Sequence, residues 1–338
     1  MKILFDINHP VDINFFKNSI ILLRKEGHHI HIIYRDRGKI EKILKYELGD
    51  FEITKIGEHK MGFLKKIVYQ LLRDFQIGPF IKKNEIDLVV CFGSTAAIGT
   101  WLVKRPYLAF DDDFEYKIPF YHANWFSTKH IYPDLIEFEN SKTVKYKGFK
   151  ELAYLHPNYL KTSYNILDKY TIKPNSYVFI REIANVSLNY QDSNSILNKV
   201  IKKIKDKGLD IVLSLEDKSK TDQYASDCII LQEPVADIYS LMRYALFAIS
   251  SGDTVARETS LLGVPTIYTG GRYMAVNQPL LEEGLMYESV DPKGILEIMD
   301  TFSLEKKEKL SKHLESILEA RWEDTTKLIL DQVHEFVK

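Results

Sequence analysis

The stretch ISSGDTVARETSLLGVPTIYTGG, residues 249–271, gathers the most suggestive chemistry in the chain. An apolar run ends at Ser250, Ser251, Gly252, Asp253 and Thr254 and passes directly into an amphipathic segment that carries Glu258. A strand that turns through Ser-Gly into a helix points free backbone N–H groups and a positive dipole end outward, which makes a ready anion site. Glu258, on the first turns of that helix, stands where a carboxylate can accept hydrogen bonds from sugar or ribose hydroxyls. Ser251, Gly252, Asp253, Thr254 and Glu258 therefore read as ligands for a phosphorylated, hydroxyl-rich molecule.

Five more groups are candidates for chemistry or for structure. His9 follows the first strand-like run, and an imidazole tuned near neutrality suits a base that deprotonates an acceptor hydroxyl; equally, His9-Pro10 could merely shape a turn. Asp12 is expected to cap the helix that follows, with a direct role in the site as the alternative. FDDDFEY, residues 110–116, places three carboxylates side by side, a pattern able to hold a hard cation through oxygen; Asp112 is its candidate acid or base. Arg181, in REIANVS, could clamp a phosphate in bidentate fashion or pair with a surface carboxylate. His156 reads as structural.

The elements that must position these groups follow a regular rhythm. KILFDI is a buried strand, INFFKNSIILLRKEGH a helix stopped by Gly27, and HIHIIYR an alternating second strand. That β-α-β unit implies a parallel sheet with helices on its faces. FEITKI, LVVCF and PYLAF continue the series. After residue 150 the rhythm restarts with SYVFIRE, SNSILNKVIKKIKDKG, LDIVLSL, DCIILQ, VADIYSLMRYA, LFAISS, VARETSLLG and PTIYTG. The expected fold class is α/β, with two Rossmann-like domains whose parallel sheets face a central cleft. Residues 1–160 form the N-terminal acceptor domain and 161–320 the donor domain, with a charged helix at about 321–338 packing back on the first. Ligands in such sheets sit beyond the C-terminal ends of the strands.

Composition narrows the function classes. Hydrophobic residues make up 45% and charged residues 28%, the balance of a soluble globular chain. With 46 basic and 47 acidic side chains there is no basic excess of the kind a nucleic-acid binder carries. Two cysteines suggest neither a disulfide framework nor a zinc site. No apolar run approaches a membrane span, and the strand-like N-terminus is unlike a signal peptide, so the expected location is cytoplasmic. Residues 59–83 carry Leu64, Ile67, Val68, Leu71, Leu72 and Phe75 at helical spacing, with Lys60, Lys65, Lys66 and Arg73 around them. Such a helix can dock on the inner face of an anionic membrane, although core helices show the same stripe.

LQEPVADIYSLMRYALFAISSGDTVARETSLLGVPTIYTGG resembles the nucleotide-sugar half of the GT-B superfamily, which includes the MurG-type N-acetylglucosaminyltransferases and the non-hydrolysing UDP-N-acetylglucosamine 2-epimerases. The order is the same: a loop flanking the base, a helix, a strand, a diphosphate-binding turn and a carboxylate. The resemblance assigns the base-flanking loop, Glu233 to Asp237 with Val235, to the nucleotide. AVNQPLLEEGLMY resembles the MurG segment whose paired polar residues contact the donor sugar, with Asn277 and Gln278 at the matching positions. The motifs DINHPVDINFFKN, FDDDFEY, KELAYLHP and SSGDTVARETSLLGVP also make nearly the whole chain similar to a largely archaeal family, domain of unknown function 354. Two departures stand out: NHPVD replaces the Gly-rich first loop of MurG, and the Arg and carboxylate cluster of a 2-epimerase is not recognisable.

The resemblance implies a glycosyltransferase that moves a sugar from a nucleotide-linked donor, UDP by expectation, to a glycan or lipid-linked acceptor, in polysaccharide or cell-envelope biosynthesis. His9 or Asp112 would be the base. In the GT-B arrangement, amides and a helix dipole neutralise the diphosphate, so neither a metal nor another cofactor is expected. The alternatives are a 2-epimerase-like isomerase, or a non-catalytic nucleotide-sugar-binding protein.

Overall fold

A computed structural model of the chain describes residues 1–58, 63–183, 193–232, 235 and 237–337. In chain order the first elements are β1 (Lys2–Ile7), α1 (Pro10–Lys25), β2 (His29–Asp36), α2 (Ile40–Leu48), β3 (Glu52–Glu58), α3 (Phe63–Lys83), β4 (Leu88–Phe92), α4 (Ala97–Leu102), β5 (Tyr107–Phe110), α5 (Lys117–Phe126), β6 (Lys129–Pro133), β7 (Thr143–Tyr146) and α6 (Leu152–Leu155). There follow α7 (Asn165–Tyr170), β8 (Tyr177–Glu182), α8 (Ser193–Asp206), β9 (Asp210–Leu215), α9 (Thr221–Tyr224), β10 (Ile229–Ile230), α10 (Ile238–Arg243), β11 (Phe247–Ser250) and α11 (Asp253–Leu261). The chain ends with β12 (Thr266–Tyr268), α12 (Gln278–Glu282), β13 (Met286–Glu288), α13 (Pro292–Asp300), α14 (Leu304–Ala320) and α15 (Thr325–His334). Two compact units result: 1–159 with 321–338, and 160–320.

The first unit holds a seven-stranded sheet in the order β3-β2-β1-β4-β5-β6-β7, with every pairing parallel. β1 is buried on both faces except at Lys2, as a central parallel strand must be. Phe15 and Phe16 of α1 pack edge-on against Phe5, Phe92 and Phe110, at centroid distances of 5.1–5.4 Å for Phe5, Phe92 and Phe110 on their nearer partners. These rings hold the start of α1 over the C-terminal ends of β1, β4 and β5. Gly27, at φ +90°, ends the helix in the left-handed region that glycine enters freely. β6 and β7 extend the sheet beyond the strands that periodicity indicates.

One expectation is corrected in α3. Arg73 does not belong to a basic outer face: it is 1% exposed and donates to both carboxylate oxygens of Asp6, at 2.9 and 2.5 Å. Asp6 also accepts from Thr95 Oγ1 at 2.8 Å, so a carboxylate inside β1 is matched by a guanidinium and a hydroxyl. Leu71, Leu72 and Phe75 of the same helix are exposed.

The second unit holds a six-stranded sheet in the order β10-β9-β8-β11-β12-β13, again parallel throughout. Its core includes Val178, Ile180, Ile204, Leu213, Phe247, Ile267 and Met299. α14 belongs to this unit, whereas α15 lies in the first. Thr325 and Thr326, at the start of α15, donate their hydroxyls to the carbonyls of Phe149 and Ala153 at 2.8 and 2.7 Å. The charged C-terminal region is therefore two helices, broken before Asp324, which caps the second.

Candidate functional site

In the second unit β11 stops at Ser250 and α11 starts at Asp253, so the intervening turn lies at the C-terminal end of a central strand. Ser250 Oγ closes the turn, donating to the Gly252 carbonyl at 2.7 Å and accepting from the Gly252 N–H at 3.1 Å. Ser251 is tied to the end of β8: its N–H donates to the Arg181 carbonyl at 3.0 Å and its Oγ accepts from Ile183 N–H at 2.9 Å. The cap of α11 is Gly252, which supplies no side-chain hydrogen bond to the helix. The nine-residue helix thus begins with first-turn amides that no capping side chain occupies, the condition for anion binding. Thr254 N–H is the exception, donating to Asp253 Oδ1 at 2.8 Å.

The glycine turn after β12 completes the arrangement. A Cβ on Gly270 would meet the Ser251 carbonyl and the Tyr268 hydroxyl, each at 2.5 Å, so only glycine lets the two turns approach. Arg272, two residues on, brings its guanidinium to 3.8 Å from Asp253 Oδ2 at the start of α11. Sequence reasoning passed over Arg272, although it directly follows the quoted stretch.

Glu258 faces inward from α11 at 6% exposure and accepts from Tyr239 Oη of α10 at 3.3 Å. Asn277 is 2% exposed, and its carbonyl oxygen accepts from buried Arg257 of α11 at 3.1 Å. Gln278, the first residue of α12, is half-buried, as is Val235. Arg181 lies inside β8, not after it, and donates to Ser214 Oγ of β9 at 2.9 Å. Glu233 lies outside the described residues.

The first unit gathers a second set at its own strand ends. His9 caps α1: its Nδ1 accepts from Val11 N–H at 3.4 Å, while Asp12 Oδ2 accepts from the N–H groups of Asn8 and His9, both at 2.9 Å. This corrects the expected cap, because the reciprocal box makes His9 the cap and Asp12 its partner. It also changes the chemistry of His9. A neutral imidazole that accepts at Nδ1 carries its proton on Nε2 and so presents a donor there, not a base. His9 is exposed, yet the protein around its ring and the positive charges of Arg37 and Lys150 hold its pKa down to about 4. Burial pushes Asp12 up to about 7, against the two N–H groups that favour its charged form.

Asp112 follows β5 and is 9% exposed, paired with Lys150 Nζ at 2.6 Å. Lys150 also lies 5.2 Å from the centre of the Phe92 ring, above the end of β4. Asp111 is turned the other way, its Oδ2 3.7 Å from His130 Nε2, and burial raises its pKa while His130 opposes the shift. The three-carboxylate run is therefore split between separate partners. His156 stands 3.8 Å from Asp324. Lys150 is a residue that sequence reasoning quoted but did not single out; its signal was a lone lysine at the head of an apolar segment.

The profile of the family described as "Protein of unknown function (DUF354)" matches residues 1–96 and 131–338. The chain belongs to this family. An uncharacterized protein of Methanocaldococcus jannaschii is 23% identical over 357 residues, covering 100% of this chain and 99% of that one. Among solved structures, UDP-GlcNAc 2-epimerase from Neisseria meningitidis superposes with a TM-score of 0.72 at 13% identity, covering 99% and 100% of the two chains. MurG from Acinetobacter baumannii superposes with a TM-score of 0.64 at 12% identity over the same shares. Within the DUF354 family this chain therefore has the GT-B fold.

Proposed function

We propose that this DUF354 protein is an enzyme acting on a nucleotide-linked sugar, UDP-linked in the first instance, and that it transfers the sugar to a hydroxyl of a glycan or lipid-linked acceptor. The observation that carries the reading is the turn Ser250–Gly252: it ends a central strand, opens a helix with no side-chain cap, and has Arg272 beside it and Glu258 behind it. In transfer, the acceptor oxygen bonds to the anomeric carbon as the bond from that carbon to the diphosphate oxygen breaks. The charge that develops on the leaving UDP falls at the positive end of α11, where fixed amides stabilise it without reorganisation.

On the acceptor side, Asp112 takes the hydroxyl proton while Lys150 fixes the carboxylate's direction. His9, with its proton on Nε2, donates a hydrogen bond to the acceptor. No metal is required, because the amides and Arg272 supply the positive potential. The exposed Leu71, Leu72 and Phe75 of α3 would suit an acceptor carried in a membrane.

The first experiment is a thermal-shift panel of nucleotides and nucleotide sugars, since a ligand that binds the native state raises its melting temperature. UDP and UDP-GlcNAc should stabilise the chain; no shift with any nucleotide would overturn the reading. The similarity of the fold to UDP-GlcNAc 2-epimerases favours a second reading, isomerisation. Incubation with UDP-GlcNAc and no acceptor separates the two, because epimerisation needs no second substrate.

A further inference from the structure

We propose that His29, His31 and Glu52 form a site for a borderline transition-metal cation of the Zn²⁺ class, at the end of the first sheet opposite His9 and Asp112. His29 and His31 alternate onto one face of β2, and Glu52 is the register partner of His31 on β3. Strand geometry thus brings two imidazoles and a carboxylate together. His31 Nδ1 lies 2.9 Å from Glu52 Oε2 and His29 Nε2 lies 3.7 Å from Glu52 Oε1. One ligand atom from each of the three residues falls within 4.8 Å of the others. A tetrahedral zinc centre with bonds of about 2.0–2.1 Å needs ligand–ligand edges of about 3.3–3.4 Å, which these separations bracket.

The donor set selects the metal. Two imidazoles with one carboxylate suit zinc and its neighbours, whereas Mg²⁺ and Ca²⁺ favour all-oxygen shells. Lys2 adds a positive charge nearby, but it is paired with Glu85 at 2.7 Å. His29 and Glu52 have side chains 54% and 61% exposed, so both can adjust to a cation and leave a position for water.

The location gives the ion its role. His29 and Glu52 are the first residues of β2 and β3, and β3 is the edge strand, paired only with β2. A metal there would cross-link the sheet edge at its N-terminal end, away from the strand ends where α/β sheets place substrate. It is a structural clamp. A neighbouring set, Glu26, His28 and His334, supplies the control: there His28 Nδ1 faces the Met1 amino group at 3.3 Å, a positive charge beside any cation.

Calorimetric titration of Zn²⁺ into the full chain, freed of metal by a chelator, tests the assignment. One saturable site is expected, weakened in His29→Ala and in Glu52→Gln by at least the roughly 10–100-fold that loss of a mere outer-shell partner costs. His28→Gln and His334→Gln should titrate like the wild type. Both mutated ligands are exposed, and circular-dichroism melts of the variants without metal check that they fold. Co²⁺ in place of zinc should give visible absorption bands that disappear in His29→Ala. No saturable binding by the wild type, or binding lost in His28→Gln but kept in His29→Ala and Glu52→Gln, overturns the proposal.

Discussion

Replacing Glu258 tests the proposed donor site at a carboxylate that α11 buries. The side chain is 6% exposed and accepts from the Tyr239 hydroxyl at 3.3 Å, which holds a carboxylate in place behind the β11–α11 turn. A hydrogen bond to a charged group contributes roughly 1.5–3 kcal/mol, so Glu258→Ala should weaken UDP by roughly 10–150-fold. Alanine also strips Tyr239 of its acceptor, which could loosen α10 and confuse the result. Glu258→Gln avoids this, since an amide oxygen can still accept from Tyr239. Charge-assisted bonds are about twice as strong as neutral ones, so the glutamine variant should lose roughly half the energy and bind UDP roughly three- to twelvefold less well. Calorimetric titration of UDP into both variants, each checked for an unchanged unfolding midpoint, reads the effect directly. If both bind UDP as tightly as the wild type, Glu258 is not a nucleotide ligand and the β11–α11 turn has been misread.

The acceptor side and the scaffold supply the remaining tests. Asp112→Asn should lower turnover by roughly 10²–10⁴-fold with UDP affinity unchanged, measured by sugar transfer in steady state; near-normal turnover would remove Asp112 as the base. Activity should survive EDTA, and restoration by Mn²⁺ or Mg²⁺ after a chelator-induced loss would place a metal in the mechanism. Arg73→Met strands Asp6 as a buried charge and should cost about 3–5 kcal/mol in urea unfolding, with Asp6→Asn in the same chain recovering part of it. His9 titrates at about 4 in the native state against an ordinary 6.5, so stability falls as pH drops from 6.5 towards 4, and His9→Asn, which keeps a cap, should flatten that slope. Asp12, raised from 3.8 to about 7, works the other way: its contribution is full below 3.8 and is lost as pH rises through 7, so Asp12→Asn should leave the chain relatively steadier towards neutral pH.

Both Rossmann units could be read from the sequence because central parallel strands are buried on both faces and appear as unbroken apolar runs such as KILFDI and LVVCF. KHIYP and TVKY were not legible as β6 and β7, since four or five residues of mixed polarity carry no such run. Arg73 shows a different limit. Helical periodicity marks which apolar side chains share a face, but it cannot say which charge turns inward. The clue lay 67 residues away, in a carboxylate set inside the apolar β1, which must find a partner when buried. The same holds for Asp112 and Lys150, whose pairing joins the loop after β5 to the segment before α6.

In the second unit the side chains named from sequence are largely engaged with neighbouring protein groups. Ser250 bonds its own turn, Ser251 holds β8, Asn277 holds Arg257, and Arg181 reaches Ser214. Apart from Thr254 N–H, bonded to Asp253, the backbone N–H groups that open α11 meet no side-chain cap, and Arg272 lies close by. A site made of amides constrains sequence only where close approach demands glycine, as at Gly270 against the Ser251 carbonyl. Everything else need only preserve a strand, a turn and a helix. That accounts for a fold shared at 12–13% identity with a UDP-GlcNAc 2-epimerase and with MurG.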